Sequence, residues 1–185
     1  MNRQLLWGTT VILLAASPLI PGWGQNPSDL KEERHDFSKL TDEQFAAKAA
    51  QINLAEITLG THAQQKAKRS QVQEFGRQMV QDHTNASSQL QTASLKKRYA
   101  LPTKLDASHQ ANVDKLIALQ GDEFDRAYIQ EMTKGHNMAA QLYEHESRNG
   151  NDADLKSYAA AVLPTVRQHE QKARQIWKDF FDANR

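Results

Sequence analysis

The chain has 185 residues, 23 Lys plus Arg, 22 Asp plus Glu and no Cys. Zero Cys excludes a disulfide framework, a thiolate metal site and a cysteine nucleophile. A formal net charge of +1 without a basic stripe argues against a nucleic-acid binder. The length suits one domain, or at most a small pair, and the composition fits a soluble helical protein.

Met1 to Arg3 is a short positive start, Leu5 to Ile20 is almost wholly apolar, and Gly22-Trp23-Gly24-Gln25 follows with small residues. That is the order of a secretory signal peptide over residues 1–24, cut between Gly24 and Gln25. The alternative is an uncleaved membrane anchor, although the run is short for a spanning helix and Pro18 and Pro21 interrupt its end. Removing residues 1–24 takes away one charge, Arg3, and leaves 22 basic against 22 acidic side chains. The expected location is therefore the periplasm, or the membrane surface if the segment stays attached. Residues 25–40 are polar and of mixed charge and read as a flexible leader.

The rest, 41–183, reads as helices joined by turns. Thr41 is a candidate N-cap with Asp42, Glu43 and Gln44 behind it. It opens a helix over about 42–67 with the stripe Phe45, Ala49, Ile52, Leu59, Ala63. Ser70 is expected to cap a second helix over about 71–97, with Val72, Gly76, Met79, Ala86 and Leu90 on one face. Ala100-Leu101-Pro102 ends it. Asp106 is expected to cap a short third helix over about 107–119. A fourth runs over about 123–148 with Phe124, Tyr128, Met132, Ala139 and Tyr143. Asn149-Gly150-Asn151-Asp152 is the clearest turn. The last helix, about 153–182, carries Leu155, Ala159, Val162, Val166, Ala173, Ile176 and Phe180, with Pro164 inside it. No stretch alternates as a strand does. Four long helices with short links imply an all-α, antiparallel four-helix bundle, with the short helix in the crossover.

Each long stripe has one gap, and a metal-ligand type fills it. Glu56 lies between Ile52 and Leu59, His83 between Met79 and Ala86, His136 between Met132 and Ala139, and His169 between Val166 and Ala173. All four continue the helical spacing and should face inward. A buried carboxylate is costly unless paired or bound to metal, and this set suits one Zn, Cu, Mn or Fe ion. Counted from the turns at ~1.5 Å per residue, Glu56 and His83 are level within ~3 Å, whereas His136 and His169 miss each other by ~6 Å unless Pro164 shifts the register. The competing reading makes these residues hydrogen-bonded core polars, with Asp82, Asp125 or Tyr128 as partners. Asp82 and Asp125 are the candidate outer partners of a metal site. His35, His62, His109 and His145 fall outside the stripes or in the leader.

Other signatures are missing. The Glu-x-x-His pair of di-iron bundles needs Glu at positions 80 and 166, and both are Val. No His-Glu-x-x-His run, phosphate-binding Gly loop or serine elbow occurs. Lys96-Lys97-Arg98 reads as a solvated helix end.

Several motifs together resemble one family. They are Asn53-Leu54-Ala55-Glu56-Ile57; Met79-Val80-Gln81-Asp82-His83-Thr84; Leu101-Pro102 with Leu105-Asp106; Phe124-Asp125-Arg126-Ala127-Tyr128 with His136; and Leu163-Pro164-Thr165 with His169. Over about residues 40–178 the chain resembles a large bacterial family of exported, ferritin-like domains of unknown function, often labelled membrane or outer membrane proteins. The resemblance implies a ferritin-like four-helix bundle and export to the periplasm. It implies no reaction, and without the di-iron ligand set ferroxidase activity does not carry over. The family's acid and His positions fall on Glu56, His83, Asp125, His136 and His169.

Two functions follow as expectations. One is a metal-binding envelope protein using Glu56, His83, His136 and His169. The other is a non-catalytic envelope scaffold or stress-related module whose inward polar residues are structural. An enzyme with a mononuclear metal ranks last, since no nucleophile or general base stands apart from the ligands. No nucleic-acid partner is expected, membrane contact is expected only through the N-terminal segment, and self-association is left open.

Overall fold

The computed structural model describes residues 34–182; the expected signal segment, residues 1–24, lies outside them, as does the leader before residue 34. Five α-helices follow in order: α1 (Asp42–Lys66), α2 (Ser70–Ser94), α3 (Ala107–Ile117), α4 (Gly121–Asn149) and α5 (Ala153–Trp177). A wider π-helical turn, Lys178–Asp182, continues α5. Among the described residues there is no strand, and no helix is long and apolar enough to cross a membrane.

Where the sequence places a cap, local chemistry starts the helix there with one exception; α4, for which it places none, starts at Gly121 without a side-chain cap. Thr41 accepts from the Gln44 amide while Gln44 Oε1 accepts from the Thr41 amide, a complete capping box. Asp106 accepts from the Ser108 and His109 amides at the start of α3. Asp152 does the same for Asp154 and Leu155 at α5. The exception is α2. Ser70 does not cap it; Arg69 holds the cap position with no side-chain bond. The carboxylate of Asp125, on α4, accepts instead from the Lys68 and Arg69 amides. The approach to α2 is fixed from across the fold, and its first turn has no side-chain cap.

α1 packs along α2 and α4 along α5, and the pairs meet through α2 with α5 and α1 with α4. Gly60 faces Gly76 and Asn53 faces His83, so the partner on α2 rises as the residue on α1 falls. Along α4 and α5 the same order holds, with Tyr143 against Tyr158 and Asn137 against Glu170. Residues 34–40 lie against α4, where the His35 amide donates to Gln141 and the Phe37 ring meets His145.

The core divides in two. One apolar cluster holds Leu59 and Ala63 of α1, Phe75 and Met79 of α2, Tyr128 and Met132 of α4, and Ala173 and Ile176 of α5. The other holds Phe45 and Ala49, then Ala86 and Leu90, then Ala139 and Tyr143, then Val162 and Val166. Between the clusters, Asn53 and Glu56 of α1, His83 of α2, His136 of α4 and His169 of α5 form a buried polar layer. Every gap seen in the apolar stripes falls in this layer.

Candidate metal centre

One ring nitrogen from each of His83, His136 and His169 lies within 4.8 Å of one from each of the others. The ring centroids are 5.6 Å apart for His83 and His136, 5.5 Å for His83 and His169, and 5.2 Å for His136 and His169. The expected ~6 Å mismatch between His136 and His169 is therefore corrected. A helical side chain leans toward the N-terminus of its helix. On α4 that lean carries His136 away from the Gly150 turn, and on α5 it carries His169 toward it. The two offsets act to close the gap.

Each imidazole is fastened through one nitrogen and bare at the other. His83 Nδ1 donates to Asn53 Oδ1 at 2.9 Å, His136 Nδ1 to the Met132 carbonyl at 2.8 Å, and His169 Nε2 to Asp82 Oδ2 at 2.9 Å. All three partners are acceptors, so the ring proton sits on the fastened nitrogen. His83 Nε2, His136 Nε2 and His169 Nδ1 are left as lone pairs, buried and without a hydrogen-bond partner among the described residues. Buried polar atoms of this kind normally find a partner, and leaving one bare costs about 1–3 kcal/mol. Three bare lone pairs in one layer are a donor set that could hold a cation. Metal-ligating histidines are held in the same way, with the far nitrogen donating to a carboxylate or carbonyl.

Electrostatics keep the rings in the ligating form. Burial drives His83 well below its ordinary range, and the neighbouring His136 and His169 add to this. Burial also lowers His136 to about 3. His169 is lowered by burial, against an opposing pull from Asp82. Neutral imidazole is the species that binds metal.

Glu56 is buried in the same layer but is not a member of the 4.8 Å group. Burial raises its carboxyl to about 8, with Glu131 contributing in the same direction, and its Oε2 has no partner among the described residues. Asp82 is an outer partner through His169. Asp125 is not: its oxygens serve the Lys68 and Arg69 amides and the Arg69 guanidinium, so it belongs to the α1–α2 connection. His35, His62, His109 and His145 all lie outside the trio.

Two functional positions escape the stripe pattern. Asn53 is fully buried and holds His83, whereas Ile52, assigned to the stripe, is only half-buried. Stepping back in threes and fours from Glu56 reaches Asn53, Ala49 and Ala46, which is the true inner face. The Met132 carbonyl that holds His136 is backbone, and no residue identity announces it.

No curated protein and no solved structure matches the chain. A family profile described as Domain of unknown function (DUF4142) matches residues 27–176, and the chain therefore belongs to that family.

Proposed function

We propose that this chain is an exported bacterial envelope protein that binds one transition-metal ion through His83 Nε2, His136 Nε2 and His169 Nδ1. The observation that carries the reading is the trio of bare nitrogens within 4.8 Å, each opposite a nitrogen fastened to an acceptor. Three neutral imidazoles suit Zn, Cu or Fe better than Mn, which favours oxygen donors. Tetrahedral Zn–N bonds of about 2.0–2.1 Å put nitrogens roughly 3.4 Å apart, so binding asks for a closing movement of at most about 1.4 Å. The host is an antiparallel four-helix bundle of the ferritin-like type. The order of contacts along α1 with α2 and α4 with α5 supports it, and so do the four stripes meeting in one layer. Export rests on the signal-peptide order of residues 1–24.

The test is metal titration of the purified exported chain after chelator treatment, with Zn, Cu, Mn and Fe offered separately. We expect one ion per chain. At a free concentration 1,000 times Kd the native state gains about 4 kcal/mol, a rise in Tm of roughly 8–16 °C. Replacing all three histidines by Leu should abolish the response and leave the stability of the metal-free chain little changed, because three bare nitrogens leave the core while Asn53 and Asp82 lose their donors. If no metal moves Tm and the Leu variant is less stable, the imidazoles are structural and the scaffold reading replaces this one.

A further inference from the structure

Resting on the metal reading above, we propose that the ion keeps one coordination position for a small exchangeable ligand, water or hydroxide at rest, and that this position faces the Glu56 carboxylate. The trio supplies three protein donors, and no other His, Asp or Glu among the described residues joins it. Zn, Co and Cu in such sites take a fourth donor, and a three-histidine site is the form that leaves it to solvent or substrate.

The geometry says where that donor stands. Glu56 lies one turn from Asn53, which holds His83, and its Oε1 is 3.8 Å from the point where a Cβ on Gly135 would sit. Gly135 immediately precedes His136. The carboxylate thus lies against the stretch of α4 that carries His136 yet outside the circle of the three ligands, with a bare Oε2. A ligand bridging the ion and Glu56 fits that placement better than direct coordination does.

Gly135 is the second, independent observation. Glycine inside a helix costs about 1 kcal/mol against alanine. At Gly60 and Gly76 packing explains it, since an added Cβ would come within 2.7 Å of the facing helix. At Gly135 no such crowding exists: the one atom outside its own turn that a Cβ would meet within 4 Å, among the described residues, is Glu56 Oε1. The missing side chain keeps room beside the carboxylate and the ion rather than room for a helix. The Tyr128 hydroxyl, also buried and bare, lies two turns before His136 on the same helix. The Phe75 ring connects it to the layer, 6.3 Å from Tyr128 and 6.2 Å from His169. The ligand this position takes is small and oxygen- or nitrogen-donating, of the size of water or a triatomic anion.

The test uses the exported chain loaded with Co(II), whose visible bands report coordination. Sodium azide is the probe, and wild type is compared with Gly135→Ala and Glu56→Gln. We expect one cobalt per chain in all three, and a saturable azide-induced change in the bands of the wild type. Gly135→Ala should weaken azide binding at least about tenfold by filling the space, since about 1.4 kcal/mol suffices for that factor. Glu56→Gln, which replaces the facing carboxyl by an amide, should change it several-fold. If cobalt binds at one per chain but azide leaves the bands unchanged, the site is closed and the proposal falls while the metal reading stands. Azide binding that neither variant alters would place the exchangeable position elsewhere and also overturn it. If no cobalt binds, the metal reading itself fails and takes this inference with it.

Discussion

Asp82 shows what a single residue adds to this site. Its carboxylate accepts from His169 Nε2 at 2.9 Å and is still 28% exposed, so removing it opens no large core cavity. Its value lies in fixing the His169 tautomer and ring angle. Outer partners of this type are worth about 10–100-fold in metal affinity. We expect Asp82→Ala to weaken metal binding by that range and to cost the metal-free chain about 1–3 kcal/mol, because the buried His169 Nε2–H loses its acceptor. Asp82→Asn, which keeps an acceptor oxygen, should recover most of the affinity. Calorimetric titration of the three proteins checks this, and equal affinities would mean that Asp82 is merely a neighbour. Asn53 does the same for His83 from deeper in the core, where it is fully buried and its loss would also disturb packing.

At the scale of helices, the pairing of α1 with α2 depends on two glycines. A Cβ on Gly76 would stand 2.7 Å from Ala63 Cβ and 2.9 Å from the Gly60 carbonyl, which is backbone and cannot yield cheaply. We expect Gly76→Ala to cost about 1–3 kcal/mol, as overpacking does, and to lower Tm by about 2–4 °C per kcal/mol in a domain of this size. Thermal unfolding followed by circular dichroism measures it, and a variant as stable as wild type would show the close approach to be slack. The inward face of α2 was legible because Gly76 falls on the stripe. So were the starts of α1 and α3, because Thr41 and Asp106 cap with side chains three residues or fewer away. The start of α2 was not legible, since its acceptor, Asp125, lies 56 residues on from Arg69. Nor was the end of α5. There the Phe181 ring sits under Arg69 and Arg126, 4.7 and 4.6 Å from the guanidinium carbons. Trp177 also donates to Asp182, and the chain widens into a π-helical turn where an unbroken α-helix to 182 was expected. Local pattern carries local bonds, and contacts between distant helices override it at the ends.

For the whole molecule, a polar layer between two apolar clusters makes stability a function of pH, and the signs of its members differ. The three imidazoles have folded-state values below the ordinary 6.5, with His136 at about 3. Below 6.5 the unfolded chain takes up protons that the native chain refuses, so their contribution is complete above 6.5 and is lost as pH falls. The carboxyls act in reverse. Burial raises Glu56 to about 8 and Glu146 to about 7, the latter also through Asp42. Their native state holds protons that the unfolded chain releases above 4.5, so stability is lost as pH rises through 4.5 toward 7 to 8. Below 6.5 His83 and His136 offset the two carboxyls, and the lowered His169 tips the net slope upward. Above 6.5 only the carboxyls act, and the slope turns down. The metal-free chain should therefore be most stable near pH 6.5, where a domain governed by ordinary surface carboxylates shows a plateau. Glu56→Gln takes one titrating group out of the layer and should flatten the alkaline limb by up to one proton, about 1.4 kcal/mol per pH unit. Urea denaturation of both proteins across the range from pH 4.5 to 8.5 provides the curves. Parallel alkaline limbs would mean that Glu56 is already ionised in the folded chain, with a counter-charge drawn into the layer beside the three histidines.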